Sequence, residues 1–427
     1  MKRKFSLLMV LLLTISAGWS QVTTSTLKGL VKDSQGPLMG AEVLIVHEPT
    51  GTKTGTITQE NGRFIMPNLR VGGPYKIIIK YVGYQPVELN NIYLKLGEAE
   101  KIEVTLQESK DALKEVVINV QNNGQIAAKD KNGPVTSIGH KELETLPTIS
   151  RSAKDFYRLE PSASGNSFGG RNDQYNNFSL NGTIFNNPFG LDAATPGGQS
   201  NAQPISLDAI DQIQVSTAPY DVTQSGFTGA AVNAVTKSGT NRYHGTVFGY
   251  YRNQDMTGAV NLGNTSLKPD LKQLQGGFSI GGPIIKNKLF FFANAEVDDR
   301  TDLGSYYIAK APGRTGDNVS RVEKSDLDEV SALLKSVGYE TGPYEGYLHD
   351  TYSQKGIIKL DWNALDNLRV SFIYNRLNAY RDLNAHPEAI MHRGPDKTVM
   401  QFYNSGYRIN NNIDSYLAEI NWNSTDG

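Results

Sequence analysis

The most informative stretch of this chain runs from residue 355 to residue 375: Lys355-Gly-Ile-Ile-Lys-Leu-Asp-Trp-Asn-Ala-Leu-Asp-Asn-Leu-Arg-Val-Ser-Phe-Ile-Tyr-Asn375. Apolar and polar residues alternate in both halves of it, on either side of a tight connection at 364–366. The apolar positions are Ile358, Leu360 and Trp362, then Leu368, Val370, Phe372 and Tyr374, and the opposing positions are Lys359, Asp361, Arg369, Ser371 and Asn375. Successive side chains of a β-strand point to opposite faces, so the pattern predicts an antiparallel hairpin with one apolar face.

Similar segments recur through the second half of the chain. The predicted strands are 243–253, 273–282, 289–299, 351–363, 367–378 and 412–423. Long polar connections at 254–272, 300–350 and 379–411 alternate with short ones. Outer-membrane barrels combine short periplasmic turns with long extracellular loops, so the apolar faces are expected to meet outer-membrane lipid. Trp362 and Trp422 each precede a short turn, where an aromatic girdle is expected.

The polar positions of the same strands are predicted to form the inward face of the barrel. Lys355, Lys359, Asp361 and Glu419 would face the lumen, where contact with a folded domain inside the barrel explains them without a substrate. In the third long connection, Ser325-Asp-Leu-Asp328 has the form of a capping box. It is followed by Val330, Leu334 and Val337 at helical spacing, so a loop helix is expected there.

The first twenty residues have the pattern of a secretory signal. Three basic residues at 2–4 precede an apolar run at 5–15, and the small residues Gly18 and Ser20 suit cleavage before Gln21. This run is too short to span a bilayer, which needs about 20 apolar residues. We therefore expect export with residues 1–20 removed, and any membrane span must then be a β-barrel.

Composition excludes several classes of function. Lys+Arg (42) and Asp+Glu (43) nearly cancel, so no net field attracts nucleic acid. The chain has no cysteine, which excludes disulfides, thiolate metal sites and a cysteine nucleophile. The run Gly165-Asn-Ser-Phe-Gly169 matches a nucleophile elbow in residue spacing alone, because it lacks the strand and helix that this chemistry requires. We predict no enzyme activity, no metal site and no cofactor.

Residues 22–108 predict a small β-sandwich. Turn clusters such as Glu60-Asn-Gly62 separate short β-rich runs, and in the run from Tyr75 to Tyr81 the odd positions would face a core. The segment from Gly29 to Val43, with Gly62-Arg-Phe and Tyr81-Val-Gly-Tyr84, resembles the carboxypeptidase-regulatory-like domain. This resemblance implies a transthyretin-like sandwich. It does not imply peptidase activity.

Residues 132–237 carry a more specific resemblance. Asn181-Gly182, Ile210-Asp-Gln-Ile-Gln-Val215 and the run from Gly229 to Gly245 resemble the plug domain of TonB-dependent receptors, in particular the Oar-like group. The small residues suit a strand that lies close to a barrel wall. The fold class is therefore mostly β: the N-terminal sandwich, an α+β plug domain, and in 238–427 the first strands of a transmembrane antiparallel β-barrel.

Between these domains, residues 110–131 resemble a TonB box followed by a linker. The candidate TonB-binding residues are Glu115, Val116, Val117, Ile118, Asn119 and Val120. Such a peptide binds by adding as a strand to a sheet of the partner, so it should be extended, free of proline and without folded contacts. The alternative, which stays open here, is that the segment is one more strand of the sandwich.

The resemblance implies an outer-membrane receptor that captures an unidentified extracellular ligand and imports it with energy from the TonB complex. A non-transporting outer-membrane adhesin or structural protein is the alternative, and a working TonB box would distinguish the two. Barrels of this family have roughly 22 strands, and about six are predicted here, too few to enclose a plug. We therefore expect the sequence to be an N-terminal fragment of such a receptor.

Overall fold

The structure is a computed structural model that describes residues 23–109, 116–119, 135–148, 151–157, 159–187, 195–218, 226–385 and 395–423. The predicted signal (1–20), Glu115, Val120 and the predicted linker (121–131) lie outside the described residues. The fold is mostly β, in three parts that follow one another along the chain. None of the helices described is long and apolar enough to cross a membrane.

The first part, which we call the sandwich, consists of two sheets around one core. Its strands are β1 (Thr24–Lys32), β2 (Glu42–His47), β3 (Thr52–Ile57), β4 (Arg63–Arg70), β5 (Gly72–Lys80), β6 (Val87–Leu94), β7 (Ala99–Thr105) and β8 (Val116–Asn119). The sheets have the orders β4-β1-β7 and β3-β2-β5-β6-β8. Tyr75, Ile77 and Ile79 are buried in the shared core, as their alternation predicts.

Strand β6 has an irregular backbone, which weakens the sequence pattern by which a strand is predicted. Asn91 has a φ of 61°, and the pairing of β5 with β6 shifts register between Tyr75 and Ile77. Asparagine tolerates this left-handed conformation better than most residues. The resulting bulge interrupts the alternation of buried side chains by which a strand is recognised.

The second part, the central domain, is built around a five-stranded sheet of order β13-β12-β15-β14-β9. The elements are β9 (Val135–Ile138), α1 (His140–Thr145), α2 (Lys154–Tyr157), β10 (Ala163–Ser164), β11 (Ser167–Phe168), β12 (Asn177–Leu180), β13 (Thr183–Ile184), β14 (Ile210–Ser216) and β15 (Ala231–Thr236). All six residues of β15 are buried. It pairs in parallel with β12 and antiparallel with β14, which explains its small and apolar side chains.

The third part is one antiparallel sheet, which we call the wall. Its strands, in spatial order, are β16 (His244–Asn253), β19 (Leu271–Ile285), β20 (Leu289–Leu303), β23 (Leu348–Leu365), β24 (Leu368–Leu383) and β25 (Tyr407–Trp422). All six predicted strands are present, and most extend further into the long loops. Ile358 and Trp362 are about half exposed on the outer face, whereas Lys359 and Asp361 are buried on the inner face, as predicted.

The long loops contain β17 (Val260–Leu262), β18 (Thr265–Leu267), β21 (Ile308–Lys310), β22 (Val319–Glu323) and α3 (Lys324–Ser336). The predicted helix is therefore present, but its predicted capping box is wrong. Glu323 is the N-cap residue, without a side-chain cap, because it ends β22 in an extended conformation. Ser325 consequently lies inside the helix. Leu327 is buried, whereas Val330 and Val337 are exposed, so the apolar stripe is only partly covered.

The central domain packs directly on the inner face of the wall. Phe292, Ile357 and Ile373 of the wall belong to the same buried cluster as the core of the central domain. Gly239, just after β15, shows how close the approach is. A Cβ atom there would stand 2.7 Å from the carbonyl oxygen of Gly282 and closer still to that of Phe291. Only glycine fits between the end of β15 and these two wall strands.

Candidate functional site

The central domain is attached to the wall by a hydrogen bond from Ser206 to Glu296, a wall carboxylate that is itself buried and ion-paired within the wall. Lys355 Nζ lies 2.9 Å from Glu296 Oε1, which also accepts a hydrogen bond from Gln275 Nε2 at 2.9 Å. The hydroxyl of Ser206 donates to Glu296 Oε2. Burying charged groups is costly unless each finds partners, and here three donors satisfy the carboxylate. Since Ser206 lies just before β14, this cluster fixes the start of that strand to the wall.

Further polar contacts follow along the same interface. Lys359 Nζ lies 3.4 Å from the carbonyl oxygen of Thr236, at the end of β15. Asn375 Nδ2 donates to the carbonyl oxygen of Pro204 at 3.2 Å. Lys355 and Lys359 thus face inward, as predicted, and Lys359 contacts the central domain directly. Side chains from three neighbouring wall strands thus hold the end of β15 and the segment that precedes β14.

The other two predicted inward-facing residues contact the sandwich instead. Glu419 Oε1 accepts a hydrogen bond from Thr23 Oγ1 at 2.7 Å, and Asp361 Oδ2 lies 3.8 Å from Arg70 Nη1. The backbone N–H of Asn241 donates to the carbonyl oxygen of Pro49 at 2.7 Å. The sandwich therefore lies at the short-turn end of the wall. Local sequence patterns do not predict this contact, because it joins polar residues separated by hundreds of positions.

The sandwich also holds the central domain, through two glutamines of β14. Gln212 accepts from the backbone N–H of Leu96 at 2.9 Å and donates to the carbonyl oxygen of Leu94 at 3.2 Å. Gln214 Nε2 donates to the carbonyl oxygen of Leu96 at 3.0 Å. Both glutamine side chains are buried. We call Gln212 and Gln214, with the 94–96 backbone they bind, the glutamine clamp.

A cavity of about 1360 Å³ remains between the sandwich, the central domain and the wall. Polar side chains from all three parts line it: Arg70, His140, Asp211, Lys237, Arg369 and Glu419. This mixture of positive and negative side chains does not match a single class of anion or cation. Within the described residues, no group of three or more His, Cys, Asp or Glu side chains could hold a metal ion.

Four of the six candidate TonB-binding residues are described, and they form β8. This strand pairs in parallel with β6, with Val87 opposite Val116 and Asn90 opposite Asn119. The expectation that the segment makes no folded contacts is therefore wrong. The backbone of 116–119 has high strand propensity, and in the folded chain it pairs with the edge of the nearest available sheet.

Two known domain families match the chain. Residues 26–107 match the carboxypeptidase regulatory-like domain, and residues 235–425 match the outer membrane beta barrel domain. The chain is 28% identical over 304 residues to the TonB-dependent transporter Oar of Myxococcus xanthus, covering 65% of this chain and 27% of that protein. It is 27% identical over 270 residues to the probable TonB-dependent siderophore receptor PirA of Acinetobacter baumannii, covering 56% and 33%. The chain is therefore homologous to TonB-dependent transporters and receptors.

The chain spans about a third or less of the length of these two relatives, 27% and 33%. The outer membrane transporter YddB of Escherichia coli is among the similar solved structures, with a TM-score of 0.45 and 13% identity. That alignment covers 68% of this chain and 37% of YddB. The barrel-domain match and the two relatives assign the receptor to the outer membrane.

The sequence that resembles a nucleophile elbow has a simpler role in the receptor. The turn between β10 and β11 consists of residues 165 and 166, where Gly165 has a φ of 61°, whereas Gly169, with a φ of 56°, lies just after β11. A two-residue turn between paired strands needs a positive φ at its first position, which glycine adopts without strain. Gly165 is therefore explained by hairpin geometry.

Proposed function

We propose that this chain forms part of an outer-membrane receptor that binds an extracellular ligand and imports it with energy transmitted by TonB. The central domain acts as the plug, and the wall is part of the barrel around it. The observation that carries the proposal is the buried attachment of the plug to the inner wall at Glu296, Lys355 and Ser206. A plug held in this way blocks the lumen until a force displaces it.

The two relatives support transport in preference to catalysis. One is named as a TonB-dependent transporter and the other as a probable TonB-dependent siderophore receptor. A ferric siderophore is therefore the first ligand class to test, although peptides, glycans and proteins use the same kind of receptor design. The receptor is proposed to have no enzyme activity of its own.

TonB is proposed to bind residues 115–120 by strand addition. Main-chain hydrogen bonds give such complexes their affinity, so the peptide needs extended backbone with its N–H groups present. Three of the six residues, Val116, Val117 and Ile118, are β-branched and favour that conformation. The backbone of 116–119 is already extended in the structure.

A proline substitution tests this assignment. Val117→Pro in the full-length receptor removes one backbone donor and should weaken binding of the purified periplasmic domain of TonB at least tenfold. Val117→Thr is the matched control, because threonine is β-branched and keeps the N–H group. Binding is measured on detergent-solubilised receptor immobilised through its C-terminus.

Two outcomes separate the candidate functions. Loss of TonB binding in Val117→Pro, with normal binding in Val117→Thr, supports energised transport. Undiminished binding in Val117→Pro would show that the TonB box lies elsewhere. If the unmodified receptor does not bind TonB at all, the non-transporting adhesin becomes the better description.

A further inference from the structure

The candidate TonB box occupies the end position of a sheet. In the order β3-β2-β5-β6-β8, β8 has β6 on one side, and no described strand pairs with its other side. An edge strand presents a row of unpaired N–H and C=O groups that can pair with another chain. A partner strand can therefore add to β8 without removing it from the sandwich.

The neighbour of β8 leads directly to the plug. Strand β6 pairs with β8 through residues 87–90 and ends at Leu94. The carbonyl oxygen of Leu94 is one of the groups bound by Gln212, and Gln214 binds Leu96 two residues later. One continuous strand thus connects the box to the glutamine clamp, and the clamp belongs to plug strand β14.

The covalent connection between the box and the plug is much less direct. Residues 120–134 separate the end of β8 from the start of β9. Fifteen residues can extend to roughly 50 Å, at about 3.3–3.6 Å per residue. A pull on a released box would reach Val135 only along this covalent connection, whereas a pull through β6 reaches the clamp through paired backbone.

We propose that TonB adds to the open edge of β8 while β8 stays in the sandwich, and that the sandwich transmits the pull to plug strand β14. Transmission runs through β6 and the glutamine clamp. The proposal rests on the proposed function, since it assumes that residues 116–119 are the TonB box. It assigns the N-terminal sandwich a mechanical role between the energy source and the plug.

The first test locks β8 into the sandwich. The chain has no cysteine, so Glu88→Cys with Val117→Cys creates a single possible disulfide between residues that pair in register. Neighbouring strands lie about 4.8 Å apart, and disulfides join Cα atoms about 4.4–6.8 Å apart. Asn90→Cys with Asn119→Cys is a second registered pair, for use if the first does not oxidise.

The oxidised receptor should bind the periplasmic domain of TonB within twofold of the reduced receptor. Oxidised binding at least tenfold weaker, restored by reductant, would overturn the proposal, because TonB would then need the strand outside the sandwich. If neither form binds TonB, the proposed TonB box fails, and this inference fails with it. The single-cysteine variants control for the substitutions themselves.

The second test weakens the glutamine clamp and measures the tip extension at which the plug gives way under force. The full-length receptor, in a supported bilayer, is pulled by a force-microscope tip that carries the TonB domain. With Gln212→Ala and Gln214→Ala together, the sandwich should detach first. The force peak of the plug should then appear at a greater tip extension, by up to roughly 50 Å of linker.

Asn423→Ala is the matched control, because it removes a sandwich contact with the wall, from Asn68 Nδ2 at 2.9 Å, and leaves the clamp intact. It should leave the peak where it is in the unmodified receptor. An unchanged peak position in the clamp variant would overturn transmission through the sandwich. A tip that attaches to neither protein would instead count against the proposed TonB box.

Discussion

Single buried polar residues join the three parts of this chain. Glu296 receives three donors at the plug–wall interface, and Gln212 and Gln214 saturate backbone groups of the sandwich. Leaving a buried donor or acceptor unsatisfied costs about 1–3 kcal/mol, so each contact favours one relative placement of the domains. Because the same groups could bond to water after separation, the net gain per contact is smaller.

His47 gives a prediction at the residue scale. Burial in the sandwich, followed by the nearby Arg70 and Arg369 charges, lowers the pKa of His47 well below 6.5. The folded form therefore stays neutral, whereas the unfolded chain takes up a proton as the pH falls through about 6.5. The free energy of unfolding of the sandwich should then decrease below that pH, by up to about 1.4 kcal/mol per pH unit.

Urea unfolding of residues 22–120 at pH 7.5 and pH 5.0 measures the part of this effect that burial within the sandwich and Arg70 produce, because the fragment lacks Arg369. His47→Gln should reduce the difference between the two pH values, since glutamine does not titrate. An equally large difference in His47→Gln would assign the acid sensitivity to other groups.

Among the elements, β8 is expected to matter most for the stability of the sandwich sheet, because it covers the edge of β6. Without it, the five-stranded sheet of the sandwich would end at β6 and present unpaired backbone groups. The strand is only four residues long, and its main effect is expected on the stability of the sheet edge.

Two fragments test the element directly. Residues 22–108 contain the apolar core and should fold alone as a soluble sandwich. Residues 22–120 add β8 and should be more stable, by about 1–2 kcal/mol from a few backbone hydrogen bonds. Urea midpoints provide the comparison, and identical midpoints of the two fragments would show that β8 does not stabilise the sandwich.

For the whole molecule, the three parts meet at the short-turn end of the wall. The contacts of the sandwich with the wall are polar, as in Thr23 with Glu419, whereas the plug and wall share an apolar cluster. Polar interdomain surfaces separate more readily than apolar ones. The sandwich is therefore expected to move before the plug does.

The whole receptor should be exported and processed. The basic residues at 2–4, the apolar run at 5–15 and the small residues before Gln21 predict cleavage after residue 20. Mass spectrometry of the mature protein should find Gln21 at the N-terminus, in fractions that float with outer membranes. An intact Met1, or a soluble cytoplasmic pool, would contradict this prediction.

Local patterns in the sequence determined the wall strands and the faces they present. Alternation in residues 355–375 depends only on neighbouring positions and on the contrast between lipid and lumen. The strands and their two faces can therefore be predicted from the sequence alone. Local patterns were less informative where the backbone departs from regular geometry. Asn91 interrupts β6, and Glu323 replaces the expected cap of α3.

The tertiary structure alone decided which surfaces meet. The sequence shows that residues 116–119 favour a strand, but strand propensity does not identify the edge with which a strand pairs. In the folded chain that edge is β6. Gln212 likewise reads as an ordinary polar residue of a strand until the fold brings Leu94 and Leu96, 118 and 116 positions away, to its side chain. Such contacts depend on the spatial arrangement of whole domains, which no short stretch of sequence encodes.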